Sequence, residues 1–537
     1  MAVNGLPSPD VLSANYAAGR QSCVICLAHQ DLTELGTTIL KRASYGAAVS
    51  ELRVDQLKTH GGGIASAEYV SSQIRYLRET TGLPILFTIR TVSQGGKFPD
   101  NSADDALHLM LVAVKEACEY IDVELTWPKA VISGIVSQKG NSKIIASYHN
   151  WTKGISWSGS LLKDSYEGAN RFGDIIKLSI TSTYLSDNHE LALFIRDHQK
   201  QSTKPLIAVG MGAHGQLSRV LSPISMATHP LLPTATAPGQ MSVARINEVL
   251  HLIGRIPKKK MFIIGHNISH SLSPTIHNAG FAELGLPHHY SIHQAPQIDE
   301  SVEKILKDPD FGGASVTYPH KLNIQPFLDS ISENAVSMGA VNTVVVGQSA
   351  DKPDQRILIG ENTDWVGIRN CIKGSPVTLD SSSTPLVIGA GGAARAALYA
   401  LQRLGISNVT VVNRSKERAE GLASSFTTLN ISILTSLQQV DAPVSCIVAC
   451  IPADDITEDD IPSKLFVSGK PGILVEMAYR PNVTALMKAV RRLGSWSVSN
   501  GVEVLREQAY AQFELWTGYR APVLAIEEAL ISAASYL

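Results

Sequence analysis

Short apolar runs recur at intervals of roughly 25 to 35 residues through the first part of the chain, and the segments between them carry the helical period. Seven runs are distinct, at residues 23–28, 47–54, 85–90, 121–125, 143–148, 174–180 and 206–211, and an eighth is expected within 220–236. Eight such βα units close into a (β/α)8 barrel of the TIM type, whose active site lies at the carboxyl ends of its strands.

Polar side chains interrupt these apolar runs, mostly near their carboxyl ends. They are Glu51, Arg53, Arg90, Glu124, His149 and Lys177. A buried lysine near arginines is expected to have a lowered pKa, so that its neutral amine can attack a ketone and form a Schiff base. A histidine on the neighbouring strand is then placed to move a proton beside that imine. The pattern predicts a Schiff-base lyase or an aldolase-type enzyme with an anionic substrate.

Six motifs between residues 20 and 250 resemble type I 3-dehydroquinate dehydratase: ELRVD (51–55), FTIRT (87–91), SYHN (147–150), IIKLS (175–179), GQLSRV (215–220) and TAPGQ (236–240). The resemblance implies Lys177 as the Schiff-base lysine and His149 as the general base. It further implies that the substrate is held by Arg219, Gln240 and Thr236 at its carboxylate and by Glu51, Arg53 and Arg90 around its ring hydroxyls. Two positions depart from the family: Gln94 replaces a bacterial glutamate, and Thr236 replaces a serine.

A strand, a glycine-rich turn, a helix and a second strand are predicted from LVIGAGGAARAALYALQRLGISNVTVVNRS (386–415). In such a unit the backbone approaches a pyrophosphate at the helix N-terminus. An acidic residue at the end of the second strand would hydrogen-bond the ribose 2′-hydroxyl of NAD. Here the strand ends in neutral Asn413 followed by Arg414, whose charge suits a 2′-phosphate, so the pattern favours NADP. The alternative is a glycine-rich turn that binds no nucleotide.

Lys321 and Asp364 precede the nucleotide unit and are candidates for a proton-transfer pair. Hydride transfer to a ketone leaves an alkoxide, and a lysine beside a carboxylate can supply the proton it needs.

From about residue 260 to the C-terminus the chain resembles shikimate dehydrogenase, through SLS (271–273), VTYPHK (316–321), GAVNT (339–343), NTD (362–364), GAGGAAR (389–395), NRS (413–415) and the late Gln508. The resemblance implies the catalytic pair Lys321 and Asp364. It implies substrate contacts from Ser271, Ser273, Thr317, Asn342 and Gln508, and cofactor contacts from Gly389, Ala390, Gly391, Gly392, Ala393, Asn413, Arg414 and Ser415. Trp365, Cys450 and Glu476 depart from the usual pattern. The Trp and Glu substitutions resemble the corresponding domain of the fungal pentafunctional AROM polypeptide.

The expected fold is α/β throughout, a (β/α)8 barrel followed by a two-lobed dehydrogenase with an open α/β substrate lobe and a Rossmann-like NADP lobe. The predicted boundaries are an N-terminal extension at 1–20, the barrel at 21–252, a linker at 253–260, the substrate lobe at 261–365, the NADP lobe at 366–500 and C-terminal helices at 501–537. The last helices are expected to return to the substrate lobe, because Gln508 must reach the substrate.

Composition narrows the range of partners. The 537 residues carry a net charge of −2 and are 44% hydrophobic, and no basic stripe is interleaved with aromatic residues, so nucleic acid is not an expected partner. No apolar segment is long enough to span a membrane, and the N-terminus lacks a signal-peptide pattern, so a cytoplasmic protein is expected.

Cys23 and Cys26 form a CxxC within an apolar run, which favours a buried strand over redox chemistry, and no metal site is expected. Homodimerisation is left open.

The two resemblances together imply successive reactions: 3-dehydroquinate is dehydrated to 3-dehydroshikimate, which NADPH reduces to shikimate. Two alternatives remain. One is quinate catabolism with NAD, and the other is a non-catalytic metabolite sensor like the fungal quinate-pathway repressors. The presence of Lys177, His149, Lys321 and Asp364 favours an enzyme over a sensor.

Overall fold

The computed structural model describes residues 10–58, 63–233, 236–349, 351–352, 355–466, 469–478 and 480–534. These divide into two compact units. The first contains the described residues up to 256 together with 283–287, and the second contains 257–282 together with those from 288 onward. Within the described ranges, no helix combines the length and the apolar character that crossing a bilayer requires.

The first unit contains one eight-stranded parallel sheet. Its strands are β1 (Ser22–Leu27), β2 (Val49–Arg53), β3 (Ile85–Thr88), β4 (Tyr120–Glu124), β5 (Lys143–Asn150), β6 (Ile175–Thr181), β7 (Leu206–Met211) and β8 (Ile224–Ala227). The strand order is β7-β6-β5-β4-β3-β2-β1-β8, and β7 and β8 also lie next to each other, so the sheet is a nearly closed barrel. Each predicted apolar run coincides with one of these strands, and the predicted barrel is confirmed.

Helices alternate with the strands around this barrel. They are α1 (Val11–Ala17), α2 (Leu32–Ala43), α3 (Ala67–Thr81), α4 (Ala103–Lys115), α5 (Lys129–Gln138), α6 (Ser160–Asn170), α7 (Asp187–Gln201), α8 (Ser218–Leu221) and α9 (Val243–Leu252). The barrel interior is filled at the amino-terminal ends of the strands by apolar side chains such as Val24, Leu86 and Ile145. Because this end is packed solid, open space is left near the carboxyl ends.

The first sheet of the second unit is mixed. It is built from β9 (Lys260–Gly265), β10 (His289–Gln294), β11 (Phe311–Val316), β12 (Ser330–Ile331), β13 (Thr343–Gln348) and β14 (Arg356–Glu361), in the order β10-β9-β11-β13-β14-β12. Strand β13 runs antiparallel to both β11 and β14. The helices α10 (Ser273–Glu283), α11 (Glu300–Lys307), α12 (Glu333–Met338) and α13 (Asp364–Lys373) accompany this sheet.

The second sheet of this unit is fully parallel. Its strands are β15 (Leu386–Ile388), β16 (Asn408–Val412), β17 (Asn430–Leu434), β18 (Cys446–Ala449), β19 (Gly472–Glu476) and β20 (Trp496–Ser499). Their order, β17-β16-β15-β18-β19-β20, is the doubly wound order of a dinucleotide-binding domain, which places the switch point beside β15. The helices α14 (Gly392–Arg403), α15 (Lys416–Ala423), α16 (Ala485–Arg491), α17 (Gly501–Thr517) and α18 (Val523–Ala534) complete the unit. The predicted two-lobed dehydrogenase fold is confirmed.

Candidate active sites

A cavity opens at the carboxyl ends of the barrel strands. Its lining includes every barrel residue predicted to bind substrate or to act in catalysis: Glu51, Arg53, Arg90, His149, Lys177, Arg219, Thr236 and Gln240. These side chains come from separate strands and loops, and the closure of the barrel brings them together. Cys26 and Gln94 also line the cavity.

Lys177 lies on β6 at the floor of this cavity, and its charged neighbours are carboxylates. Its Nζ is 2.9 Å from Oδ2 of Asp122 and 3.4 Å from Oε1 of Glu51. All three side chains are almost completely buried. The sequence predicts that arginines set the charge state of this lysine. The structure instead places two acids in direct contact with Nζ, and Arg90 contacts one of those acids, Asp122.

Asp122 is a site residue that the sequence analysis missed. It bridges Nζ of Lys177 and Nη2 of Arg90, at 2.9 Å from each, and accepts a 2.5 Å bond from the Ser147 hydroxyl. Burial alone would raise its pKa, but the two cations and the hydrogen bonds hold the pKa of Asp122 below its ordinary value. The carboxylate therefore stays charged and holds the lysine in place. An alternation of charged and apolar residues within the buried strand β4 was the available signal.

Glu51 and Arg53, both on β2, occupy different environments. Glu51 accepts a bond from the Thr88 hydroxyl at 2.9 Å, and despite its burial the nearby Lys177 and Arg53 keep its pKa low. Arg53 makes a two-point contact with Asp55, with both N–O distances at 2.8 Å. Its guanidinium is thus fixed at the cavity wall before any ligand arrives.

His149 is held by its backbone rather than by its ring. The amide N–H of His149 donates to Oε1 of Gln94 at 2.7 Å. Ring atom Nδ1 is buried from solvent and has no hydrogen-bond partner within the described ranges. This desolvation, followed by the charges of Arg90, Lys177 and Arg53, holds the pKa of His149 well below its ordinary value. The ring is therefore neutral at physiological pH and can accept a proton.

Arg219 is a buried cation without a counter-charge. Its side chain is 1% exposed, and Nη1 makes a 3.5 Å contact with the carbonyl of Met226. Among the described residues, Nε and Nη2 have no hydrogen-bond partner. Desolvation lowers its pKa from 12.5 to about 10. A buried guanidinium with free donors facing a cavity is suited to bind a carboxylate.

Gln240 lines the same cavity as Arg219 and is oriented by the loop that carries it. Its Oε1 accepts bonds from the backbone N–H and the hydroxyl of Thr236, both at 2.9 Å, so its amino group faces Cys26 at 3.4 Å. Thr236 therefore performs the orienting task through its hydroxyl, as a serine would. Cys26 is a buried free thiol on β1, and burial followed by the nearby Glu51 raises its pKa well above the ordinary value.

A second cavity lies in the second unit, between the ends of the mixed sheet and α17. Its lining includes all the predicted substrate and catalytic residues of this half: Ser271, Ser273, Thr317, Lys321, Asn342, Asp364 and Gln508. Gln508 is carried by α17, which contacts β11 and β13 of the mixed sheet.

Lys321 and Asp364 form an ion pair, with Nζ and Oδ2 2.5 Å apart. The other carboxylate oxygen of Asp364 accepts a 2.8 Å bond from Nδ2 of Asn342. Nδ2 also lies 3.3 Å from Oε1 of Gln508, which accepts a 2.9 Å bond from the hydroxyl of Thr363. These hydrogen bonds fix the position of the Asp364 carboxylate and, through it, of the Lys321 ammonium. The Lys321 side chain is still about one-fifth exposed.

Ser271 and Ser273 stand at the start of α10. The backbone N–H of Ser273 donates to Oγ of Ser271 at 3.3 Å, and both residues line the cavity. Thr317 follows β11, with its N–H bonded to the carbonyl of Ile264 at 3.0 Å. Two hydroxyls near the N-terminus of a helix are suited to receive an anionic group.

The glycine-rich turn has the shape of a nucleotide cradle. Gly389 has φ +113°, and a side chain there would meet Cγ2 of Ile451 and the carbonyl of Cys450 within 3 Å. Gly391 faces open space on the side where a Cβ would point, and α14 begins at Gly392, so the first backbone N–H groups of that helix point outward. Ala390 and Ala393 complete the turn. The local structure therefore fits a pyrophosphate.

The residues that follow β16 point toward the surface. Nδ2 of Asn413 donates to the carbonyl of Ser415 at 2.7 Å, and Ser415 caps α15 by accepting from the N–H of Arg418. Arg414 is highly exposed, and its Nη2 lies 2.8 Å from Oδ2 of Asp455. Its cationic head is available for a phosphate, in competition with that exposed carboxylate.

Four family models together match most of the chain. The family model of type I 3-dehydroquinase matches residues 23–257. Models of the shikimate dehydrogenase substrate binding domain, shikimate / quinate 5-dehydrogenase and the shikimate 5′-dehydrogenase C-terminal domain match 263–344, 377–498 and 501–531. A solved structure, dehydroquinate dehydratase and shikimate dehydrogenase from S. pombe AroM, is 37% identical, covers 96% of this chain and 99% of its own, and has a TM-score of 0.81. The chain belongs to the AROM dehydroquinate dehydratase and shikimate dehydrogenase family.

The chain also matches part of longer curated relatives. The pentafunctional AROM polypeptide of Mycosarcoma maydis is 38% identical over 97% of this chain, and the match covers 32% of that relative. The chain spans about a third of the length of the curated relatives it matches. A Thermus thermophilus shikimate 5-dehydrogenase solved in complex with NADP(H) and shikimate is 30% identical, covers 51% of this chain and 99% of its own, and has a TM-score of 0.43.

The positions that depart from the usual motifs remain structurally consistent with the AROM dehydrogenase. Trp365 is fully buried on α13, with its ring 5.3 Å from that of Tyr399 and the guanidinium of Arg369 4.7 Å above it. Glu476 is buried at the end of β19, where its carboxylate accepts bonds from the N–H of Ala478 and the hydroxyl of Thr484. Burial raises the pKa of Glu476. Neither side chain is hydrogen-bonded to Lys321 or Asp364 in the described structure.

Proposed function

We propose that this protein dehydrates 3-dehydroquinate in its barrel and reduces 3-dehydroshikimate with NADPH in its second unit. The observation that carries the first activity is Lys177 at the floor of a cavity that also contains a neutral His149 and the unpaired cation of Arg219. A nucleophile, a base and an anion site then face one substrate.

The dehydration follows from these roles. Lys177 first transfers its ammonium proton to His149, and the free amine then attacks the ketone. His149 returns that proton to the hydroxyl of the adduct, which leaves as water and gives a protonated imine. His149 takes a proton from the carbon next to the imine, the electron pair forms a double bond, and the hydroxyl on the following carbon leaves after receiving that proton. Hydrolysis of the imine consumes one water and frees Lys177. The net change is the loss of one water, while Arg219 and Gln240 hold the carboxylate.

Borohydride trapping tests the dehydratase. Reduction in the presence of 3-dehydroquinate is expected to add a stable mass adduct on the peptide that contains Lys177. Lys177→Met is expected to abolish the adduct, and Lys143→Met, on the neighbouring strand β5, is expected to retain it as the matched control. An adduct that persists in Lys177→Met would refute the assignment.

The second activity rests on the Lys321 and Asp364 pair, which lies beside the nucleotide cradle. When bound, NADPH supplies the hydride to the ketone. Lys321 donates a proton to the oxygen that gains negative charge, and Asp364 holds the ammonium at that oxygen. Ser271 and Ser273 bind the carboxylate, and Thr317, Asn342 and Gln508 bind ring hydroxyls.

NADP rather than NAD is the proposed cofactor. The cradle at Gly389 to Ala393 receives the pyrophosphate, and Asn413, Arg414 and Ser415 receive the 2′-phosphate. The exposed guanidinium of Arg414 and the absence of an acid at the end of β16 support this choice.

One spectrophotometric experiment tests both activities. Oxidation of NADPH that begins from 3-dehydroquinate requires both reactions, whereas oxidation that begins only from 3-dehydroshikimate would indicate an inactive barrel. Binding of both substrates without any turnover would favour the sensor alternative.

A further inference from the structure

Arg395 ends the GAGGAAR motif but lines neither of the two cavities described above. It lies in the first turn of α14, directly after the glycine-rich turn. Its Nη1 donates to the carbonyl of Met338 at 3.2 Å and to Oγ of Ser425 at 3.3 Å. Because Met338 is the last residue of α12, the arginine joins the helix of the nucleotide cradle to a helix that accompanies the mixed sheet.

The contact between Arg395 and Met338 pairs two groups that lack other suitable partners. A cation near the amino-terminal end of a helix is disfavoured by the helix dipole. Burial also lowers the pKa of Arg395, and no carboxylate among the described residues opposes that shift. The last carbonyls of a helix have no N–H partner within the helix, and the carbonyl of Met338 is one of these. The hydrogen bond therefore fixes the start of α14 against the end of α12.

A second hydrogen bond joins the same two helices one turn away. The Tyr399 hydroxyl, on α14, donates to Oδ1 of Asn334, on α12, at 2.6 Å. Residues 395 and 399 are bonded to residues 338 and 334 in that order, so the two helices run in opposite directions with these faces together. The ring of Tyr399 also packs edge-on against Trp365, 5.3 Å away. We call these two hydrogen bonds the helix clamp.

The segment that follows α12 holds both members of the catalytic pair. The N–H of Val341 donates to the carbonyl of Lys321 at 2.8 Å, and Nδ2 of Asn342 donates to Oδ1 of Asp364 at 2.8 Å. These two residues come three and four positions after the end of α12. The start of α14 approaches the same pair directly, because a Cβ placed on Gly392 would lie 3.8 Å from Cδ of Lys321.

We propose that the helix clamp keeps the catalytic pair in register with a cofactor bound at the start of α14, so that Arg395 and Tyr399 are positioning residues of the dehydrogenase. The proposal rests on the dehydrogenase function and the NADP site proposed above. The cofactor would be held by α14, whereas the proton donor is held by the segment after α12. The relative position of these two helices therefore sets where the transferred hydride lies with respect to Lys321, and hydride transfer is sensitive to such placement.

Arg395→Met tests the clamp, because it removes the donor and keeps most of the length of the side chain. Single-turnover oxidation of NADPH by 3-dehydroshikimate gives the rate of hydride transfer, and a fluorescence titration gives Kd for NADPH. The matched control is Arg403→Met, at an exposed position in the last turn of the same helix whose side chain makes no hydrogen bond to α12 within the described ranges. Dehydratase activity of the same preparations reports an intact chain.

Arg395→Met is expected to lower the rate of hydride transfer about tenfold or more, while Kd for NADPH changes by less than about twofold. Arg395→Lys can still donate to the carbonyl of Met338 and is expected to return the rate to within about threefold of the parent protein. Tyr399→Phe removes the second hydrogen bond but keeps the ring beside Trp365. It is expected to lower the rate about threefold, again with Kd unchanged, and it tests the clamp if Arg395→Met does not fold.

An unchanged rate in both Arg395→Met and Tyr399→Phe would overturn the proposal, and so would an Arg395→Lys variant as slow as Arg395→Met. A rise in Kd for NADPH as large as the fall in rate would also overturn it, because Arg395 would then act as a ligand of the cofactor. A parent protein that dehydrates 3-dehydroquinate but never reduces 3-dehydroshikimate would instead overturn the dehydrogenase function, and the role of the clamp with it.

Discussion

Replacing Arg219 by methionine is expected to stabilise the barrel while removing most of its dehydratase activity. Arg219 is 1% exposed, and two of the three guanidinium nitrogen atoms have no hydrogen-bond partner in the part of the chain that the structure describes. Desolvation lowers the pKa of Arg219 from 12.5 to about 10. At roughly 1.4 kcal/mol per pKa unit, burial therefore disfavours the charged form of the side chain by about 3 kcal/mol relative to the neutral form. Methionine fills a similar volume without a charge, so we expect a gain of about 1 to 3 kcal/mol in the free energy of unfolding.

The cost of Arg219→Met should appear in substrate binding. Each charge-assisted hydrogen bond contributes about 1.5–3 kcal/mol, so losing the donors Nε and Nη2 corresponds to about 3 to 6 kcal/mol. This is a fall of about two to four orders of magnitude in kcat/KM for 3-dehydroquinate.

Calorimetry and steady-state kinetics on the same preparations check both parts. The chain has two units, so the barrel transition is identified as the one that 3-dehydroquinate moves to higher temperature in the parent protein. Arg219→Lys keeps the charge and is the control: it should lose activity without gaining stability. A barrel transition that moves down in Arg219→Met would show that the guanidinium is satisfied in the free protein, and would refute the reasoning.

Three further predictions concern the other groups of the two sites. Arg414→Ala is expected to raise the KM for NADPH about 10- to 150-fold, as for loss of a charge-assisted contact of about 1.5–3 kcal/mol, and to leave the KM for NADH nearly unchanged; equal effects would contradict the cofactor assignment. His149 must be neutral to act as a base, and its pKa lies well below 6.5. Protonation of His149 is therefore not expected to lower dehydratase kcat/KM between pH 7.5 and 6.5. A fall in the pH–rate profile centred near pH 6.5 that is lost when His149 is replaced would contradict this prediction. Asp364→Asn removes the anionic partner of Lys321 at constant size, and is expected to lower dehydrogenase kcat by about 10²–10⁴-fold while dehydratase activity in the same chain stays unchanged; a parallel loss of both activities would indicate misfolding instead.

Much of the barrel could be predicted because its information is local. Most positions of these strands are buried on both faces, so each strand appears as a short run of mainly apolar residues. The polar residues Glu51, His149 and Lys177 interrupt these runs and line the cavity at the open end. The glycine-rich turn at Gly389 is likewise local, because a strand, a positive φ and a helix start within a few residues.

Asp122 shows where such prediction stops. It stands between two apolar residues of β4, and no local pattern indicates that it meets Lys177, 55 residues further along the chain. The residue types alone predict that nearby arginines lower the pKa of Lys177. The barrel instead places the carboxylates of Asp122 and Glu51 in contact with Nζ, and Arg90 contacts Asp122. Arg414 is similar: its residue type predicts a phosphate contact, and only the fold reveals its pairing with Asp455.

The sequence by itself determined the order of the strands and helices, the two families the chain resembles, and the residue types available at each strand end. Only the tertiary structure decided which of those groups share a hydrogen bond and which charge is left without a partner among the described residues. The physical reason is that secondary structure depends on neighbours within a few residues, whereas the charge state of a lysine, an arginine or a histidine depends on atoms within a few ångströms, whatever their distance along the chain.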